Sequence, residues 1–220
     1  IPDRERLHVV RYGRDPDFYR PDDQGEHEDY ILYVGRPHPA KGIDLILDLA
    51  KAWKEQEFVL AWRAGLDDHT RFESAYLEVA GALPNVRFEK LPESRDEHHE
   101  RKRDLMARAR LLLHPNVYID ADPAVPKEAQ LCGTPVVSWD RGGLRESCIV
   151  GETAILEPLP NEYWKDRDGT TSTLRSMCER AFALDRARVR RYAKGDLSSE
   201  RMARDYRRVY EKVLGGVHTS

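Results

Sequence analysis

Between His114 and Glu146 the chain reads HPNVYIDADPAVPKEAQLCGTPVVSWDRGGLRE, and the side chains of this stretch can hold a ligand rich in hydroxyls and phosphate. Two carboxylates, Asp120 and Glu128, stand eight positions apart around a proline-rich loop. Upstream, Arg36 and Lys41 follow an apolar run. Carboxylates accept hydrogen bonds from hydroxyls, a guanidinium grips phosphate bidentately, and an ammonium serves as a mobile point charge. The first amides of a helix favour an anion, which makes Ala124 and Val125, at the head of the segment carrying Glu128, candidate backbone donors. Gly35, Gly142 and Gly143 mark flexible backbone beside these groups. The parts add up to a sugar-nucleotide pocket. His114, at the end of an apolar run, either lines that pocket or is a hydrogen-bonded structural histidine. For Asp120 a second role is open, because Asp is favoured at turns and N-caps and Asp122 can fill that role equally well.

The elements that must position these groups follow from periodicity. Strands are expected over Tyr30–Val34, Phe58–Trp62, Asn85–Phe88, Leu111–Leu113 and Pro135–Ser138, with a sixth over Thr153–Leu156. Helices are expected after Gly42, where Ile43, Ile46, Leu47, Ala50 and Trp53 share a face, and over His69–Leu83, Asp96–Ala109 and Val125–Leu131. Alternation of strand and helix implies right-handed crossovers and a parallel sheet covered on both faces, an α/β fold. Ligands on such sheets bind beyond the carboxyl ends of the strands, where Arg36 and Asp120 fall. Two further helices, Ser172–Leu184 and Ser198–Leu214, close the chain. The last carries a stripe of Met202, Tyr206, Val209, Tyr210 and Val213. Asp22–Asp29 and Pro158–Thr173 are the loosest stretches by composition.

The 220 residues suffice for one domain of ample core. A net charge of −3, with mixed signs throughout, argues against a nucleic-acid partner. Three isolated cysteines, Cys132, Cys148 and Cys178, form neither a disulfide framework nor a Cys-x-x-Cys metal motif, as suits a reducing compartment. With no apolar run of transmembrane length and no signal peptide at the start, a soluble, cytoplasmic domain is expected. Neighbouring His98 and His99 cannot share a helix face as a metal pair would. No metal and no cofactor is expected.

Several passages, in order, resemble the family four glycosyltransferases, the retaining group 1 enzymes of GT-B fold. Glu128-Ala129-Gln130-Leu131-Cys132-Gly133-Thr134-Pro135-Val136-Val137 and Gly142-Gly143-Leu144-Arg145-Glu146 are similar to that family's donor-binding signature, with Asp120 in place of its first Glu. Tyr33-Val34-Gly35-Arg36-Pro37-His38-Pro39-Ala40-Lys41-Gly42 is similar to its Gly-Arg-x-x-x-x-Lys-Gly segment. Tyr12-Gly13-Arg14-Asp15-Pro16-Asp17-Phe18-Tyr19-Arg20-Pro21 resembles the passage entering its C-terminal domain.

The resemblance implies a Rossmann-like C-terminal half of a GT-B fold with extra C-terminal helices. It divides the chain into a lead-in segment (1–29), a nucleotide-sugar-binding domain (30–184) and a helical extension (185–220). It implies that Arg36 and Lys41 meet the donor diphosphate and that Asp120 contacts the donor sugar, these three being the catalytic candidates, and that Glu128 accepts from the ribose. The partners implied are a nucleoside diphosphate sugar and an N-terminal Rossmann domain, through which alone a membrane could be bound. The early position of the lead-in motif and the initial Ile are read as signs of an excised or separately produced C-terminal domain. Pro123 and Pro126 carry no N–H, so two phosphate donors are absent, and the phosphate grip is expected to lean on Arg36 and Lys41. An Asp122 cap would compete for the remaining amides, and Arg145 adds a cation near the sugar. The alternative from another class is a non-catalytic nucleotide-binding or interaction domain with a degenerate site.

Overall fold

A computed structural model describes residues 7–22, 27–65 and 70–217. Six parallel strands, β1 (Tyr30–Val34), β2 (Glu57–Trp62), β3 (Val86–Lys90), β4 (Leu111–Leu113), β5 (Val136–Trp139) and β6 (Ala154–Glu157), lie in the order β3-β2-β1-β4-β5-β6. The register aligns Leu32 with Val59 on one side and with Leu112 on the other, and Leu112 in turn with Val136. The order reverses direction between β1 and β4, and this switch point opens a crevice at the carboxyl ends of those strands.

Both faces of the sheet are covered, and β1 shows how the sequence does it. Tyr30, Leu32 and Val34 face one core with Leu105 and Met106 of α3 (Arg95–Arg108), Ala129 and Leu131 of α4 (Ala124–Leu131) and Ala193 of α6 (Arg186–Asp196). Ile31 and Tyr33 face a second core with Ile43, Ile46 and Leu47 of α1 (Ile43–Ala52), Ala80 of α2 (Thr70–Gly81) and Met177 of α5 (Arg167–Ala181). The two-residue period of a strand thus feeds two layers. The apolar face expected after Gly42 is buried throughout, Trp53 included.

All six expected strands form, Tyr30–Val34 and Leu111–Leu113 with the expected bounds and the other four with one or both ends shifted by one or two residues. The helix expected from His69 begins at Thr70, and His69 lies outside the described residues. α5 starts at Arg167 rather than Ser172, so the expected loose stretch Pro158–Thr173 contains its first two turns. Asp166 caps it by accepting from Gly169 N–H at 2.9 Å, and Arg167 reaches Asp44 and Asp48 of α1. Of the other loose stretch, residues 23–26 lie outside the described residues.

Helix α6 falls within the helical extension expected over 185–220, although no periodic pattern marks it as a separate helix. It buries only Val189 and Ala193, too few to make an apolar stripe. Its attachment is polar: Arg186 donates to the carbonyls of Ala107 and Ala109 and to Thr134 Oγ1, and Arg190 donates to the carbonyls of Pro16, Tyr19 and Leu131. The final helix, α7 (Ser199–Val217), begins where Ser199 N–H donates to the Arg14 carbonyl. Met202 and Val209 of its stripe are half-buried, whereas Tyr206, Tyr210, Val213 and neighbouring Leu214 are exposed. Among the described residues no helix is long and apolar enough to cross a membrane.

Candidate functional site

The switch point gathers most of the chemistry-bearing residues. Beyond β1 the chain passes Gly35 and Arg36, whose carbonyl accepts from Tyr33 Oη at 2.9 Å, into a 3-10 turn, Pro39–Lys41, opened by His38, which accepts from Ala40 N–H at 3.1 Å. Gly42 then takes the left-handed conformation (φ 73°), and a Cβ there would sit 2.2 Å from the Pro115 carbonyl oxygen. The turn is thereby pressed against the β4 loop, and Lys41 points across at it. Lys41 Nζ lies 2.5 Å from Tyr118 Oη and 3.8 Å from Asp120 Oδ2, and Tyr118 Oη donates to Asp120 Oδ2 at 2.6 Å. Burial lowers the Lys41 pKa, opposed by Asp120, while burial and the bond to Asp120 push the Tyr118 phenol up to about 12. The ammonium is therefore partly desolvated and held by one carboxylate and one neutral phenol, an arrangement suited to a further anion.

The acid loop is locked from behind by Gly142 and Gly143. Gly143 N–H donates to the Asp120 carbonyl at 2.8 Å, and a Cβ on Gly142 or Gly143 would fall 2.1 Å from the Asp120 carbonyl oxygen or 1.9 Å from that of Ala121. These glycines support the loop by close backbone approach. Arg145, the extra cation expected near the sugar, is turned onto Asp140 instead, with its Nε 2.7 Å from Asp140 Oδ2.

Helix α4 begins at Ala124 after Pro123 with no side-chain cap. The competing cap expected of Asp122 does not form. Its carboxylate accepts from Tyr12 N–H at 3.0 Å and pairs with the buried ammonium of Lys127, which also donates to the Tyr12 carbonyl at 2.9 Å. The first turn of α4, with Ala124 and Val125, thus faces the crevice without a carboxylate over it.

Glu128 sits one turn further in, 3% exposed. Lys102 Nζ of α3 is 2.8 Å from its Oε2, and Arg14 Nε is 3.2 Å from its Oε1. Burial, together with Glu128, raises the pKa of the neighbouring Tyr19, whose Oη lies 3.0 Å from His99 Nδ1. Two cations pair with this buried carboxylate, and a carboxylate has about four acceptor directions, so capacity remains for a hydroxyl. His114 is buried, with Nε2 2.8 Å from Asn116 Nδ2. Desolvation, then Lys41, depress its pKa to about 3, so the ring is neutral at ordinary pH. Its polar bond lies within the protein, at the floor beside Lys41 and Asp120.

Sequence reasoning missed Tyr118, Lys102 and Arg14, and also a slot of about 260 Å³ beyond β1 and β2, lined by Gly35, Arg36, Trp62, Arg63, Leu91, His98, Lys102 and Val125 among others. A lysine within a helix as charged as RDEHHERKRD reads as solvated, and nothing local marks Lys102 as 6% exposed.

A parallel sheet of this order, covered by helices on both faces and with cations, carboxylates and an uncapped helix start at its switch point, defines a Rossmann-like α/β fold of the GT-B type. The chain belongs to the glycosyl transferases group 1, whose family model matches residues 17–163. Among curated relatives, it is 28% identical over 180 residues to the D-inositol 3-phosphate glycosyltransferase of Mycobacteroides abscessus, covering 76% of this chain and 39% of that protein. Its counterpart from Rhodococcus erythropolis is 31% identical over 171 residues, covering 70% of this chain and 37% of that one. The chain therefore spans well under half the length of these relatives. Of solved structures, AviGT4, a glycosyltransferase involved in avilamycin A biosynthesis, matches with a TM-score of 0.70 at 25% identity, over 94% of this chain and 58% of its own. Anabaena HepE in complex with UDP-glucose matches with a TM-score of 0.68 at 18% identity, over 94% and 57%, a likeness of fold alone.

Proposed function

We propose that the chain is the donor-binding part of a retaining glycosyltransferase, working in the cytoplasm. It takes a nucleoside diphosphate sugar, and transfer to an acceptor occurs when a second, N-terminal Rossmann domain faces the switch point. The reading rests chiefly on the convergence of Lys41, Asp120 and the uncapped start of α4 at one crevice. The UDP-glucose complex of HepE, a protein of the same fold, agrees with it. In this reading Arg36 and Lys41 hold the diphosphate, the Ala124 and Val125 amides assist, Glu128 accepts from ribose hydroxyls, and Asp120 accepts from the sugar. As the bond from the anomeric carbon to the diphosphate breaks, negative charge grows on the leaving group. Cations aimed there then interact more strongly than in the ground state, which lowers the barrier. No metal is needed, since the two cations supply the positive charge.

The test is calorimetric titration of UDP, GDP and ADP, with and without EDTA, into the wild type and Glu128→Gln, whose melting temperature is followed in parallel. The native nucleotide binds irrespective of EDTA and loses about 10-fold in affinity in the variant, as expected for a charge-assisted hydrogen bond. Unchanged affinity removes Glu128 from the site. No binding by any nucleotide overturns the reading.

A further inference from the structure

The slot beyond β1 and β2 opens beside Gly35, Arg36 and Val125, next to the crevice assigned to the diphosphate. Lys102 lines the slot and is bound to Glu128, which puts the slot on the nucleoside side of that carboxylate. Trp62, Leu91 and Val125 supply apolar walls for a flat ring, and the volume of about 260 Å³ accommodates one.

Three of the polar side chains that line the slot are of one kind. Arg36, Arg63 and Lys102 are donors without acceptor capacity, and among the described residues no carboxylate or amide side chain lines the slot. Arg63 Nε is buried and, among the described residues, has no hydrogen-bond partner. Two backbone acceptors at the same rim are already engaged. The Trp62 carbonyl accepts from Leu91 N–H at 2.9 Å, and the Arg36 carbonyl accepts from both Tyr33 Oη and His38 N–H. His98 is the exception: its ring can present a donor or an acceptor, and its Nδ1 is likewise buried without a hydrogen-bond partner among the described residues, which leaves three fixed donors against one ambivalent group. An amino edge meeting this rim would set N–H against N–H and leave the buried Arg63 Nε unsatisfied, whereas a carbonyl oxygen answers it. Base recognition elsewhere follows the same rule: Arg and Lys pair with carbonyl edges, Asn and Gln with adenine, and Asp and Glu with the cytosine amino group.

We propose that the slot selects a nucleobase with a carbonyl edge, uracil or guanine, over the amino-edged adenine and cytosine, with Arg63 as the side chain that reads the edge. This rests on the donor-binding reading above. The experiment is calorimetric titration of UDP, GDP, ADP and CDP into the protein and into Arg63→Gln, whose amide offers a donor and an acceptor together. In the wild type, the better of UDP and GDP binds about 10-fold or more tightly than either ADP or CDP, the fold-change of one hydrogen bond to a charged donor. Which of the two it is distinguishes a uracil from a guanine donor. In Arg63→Gln the gap narrows to within about 3-fold, mainly through loss on the carbonyl-edged side. ADP or CDP binding as tightly as UDP and GDP overturns the base assignment while leaving the donor reading intact. A folded Arg63→Gln with an unchanged gap, or with an equal loss for all four ligands, overturns it as well, because Arg63 is then not reading the base. Absence of binding by all four overturns the donor reading and this inference together. The wild-type order alone is decisive should the variant fail to fold.

Discussion

Breaking the Lys102–Glu128 pair separates a buried, load-sharing ion triad from an incidental contact. The two side chains are 7% and 4% exposed, with Nζ and Oε2 2.8 Å apart. At an effective dielectric of about 20, unit charges about 4 Å apart attract by about 4 kcal/mol, and removing one partner of a buried pair costs about 3–5 kcal/mol because the other charge is left stranded. Arg14 remains on Oε1, although a third of its side chain is exposed. Its help places Lys102→Met at the lower end, about 2–3 kcal/mol, or roughly 5–10 °C in melting temperature for a chain of this size. Glu128→Leu costs about as much, because it strands Lys102. The double variant Lys102→Met/Glu128→Leu removes both charges and costs much less than the sum, giving a coupling of about 2 kcal/mol. Urea unfolding midpoints at pH 7 measure all four corners of the cycle. Additivity within about 0.5 kcal/mol, or a Lys102→Met variant as stable as the wild type, refutes the reasoning.

Three further outcomes follow. Gly142→Ala puts a Cβ 2.1 Å from the Asp120 carbonyl oxygen at φ 62°, so the acid loop must shift; a loss of about 2 kcal/mol or more and weaker nucleotide binding are expected. Gly195→Ala in α6, which meets open space, gains up to about 1 kcal/mol, and similar unfolding midpoints for the two variants would dismiss the clash. His114, held down to about 3 when folded against about 6.5 unfolded, favours the unfolded chain as proton acceptor between those values. Its contribution is complete above pH 6.5 and is lost as pH falls toward 3, by up to about 1.4 kcal/mol per pH unit. Stability curves of the wild type and His114→Gln should therefore converge on acidification, and parallel curves would assign the acid sensitivity to other groups.

The strands were legible because a parallel sheet covered on both faces demands unbroken apolar runs such as Leu111-Leu112-Leu113. Helix α4 and the Gly42 turn were legible through their local residue pattern. Helix α6 was not, because four arginines in RARVRRYAKGD signal solvent, whereas two of them are spent on backbone carbonyls of other segments. The same limit governs the site. Arg36, Lys41 and Asp120 could be picked out by spacing along the chain, whereas Lys102 meets Glu128 only because α3 and α4 pack side by side, and Arg14 reaches Glu128 from a segment more than a hundred residues away. Tyr118 lay in full view two residues before Asp120, but its hydroxyl gains meaning only once Lys41 is brought over it.

The polar mooring of α6 has a consequence for how the chain resists proteases. Residues 11–21 contain no helix or strand beyond a single bridge at Arg14, so by local structure alone they are the obvious place to cut. Yet Arg190 holds the carbonyls of Pro16 and Tyr19, and Arg14 is clasped through its backbone by Leu197 and Ser199. A protease must extract an extended stretch of substrate backbone, and here that backbone is tied down at several points. Resistance in this stretch is thus expected to come from segments distant in sequence: loss of the Arg190 guanidinium frees the carbonyls of Pro16 and Tyr19 and should make cleavage there faster without touching the stretch itself.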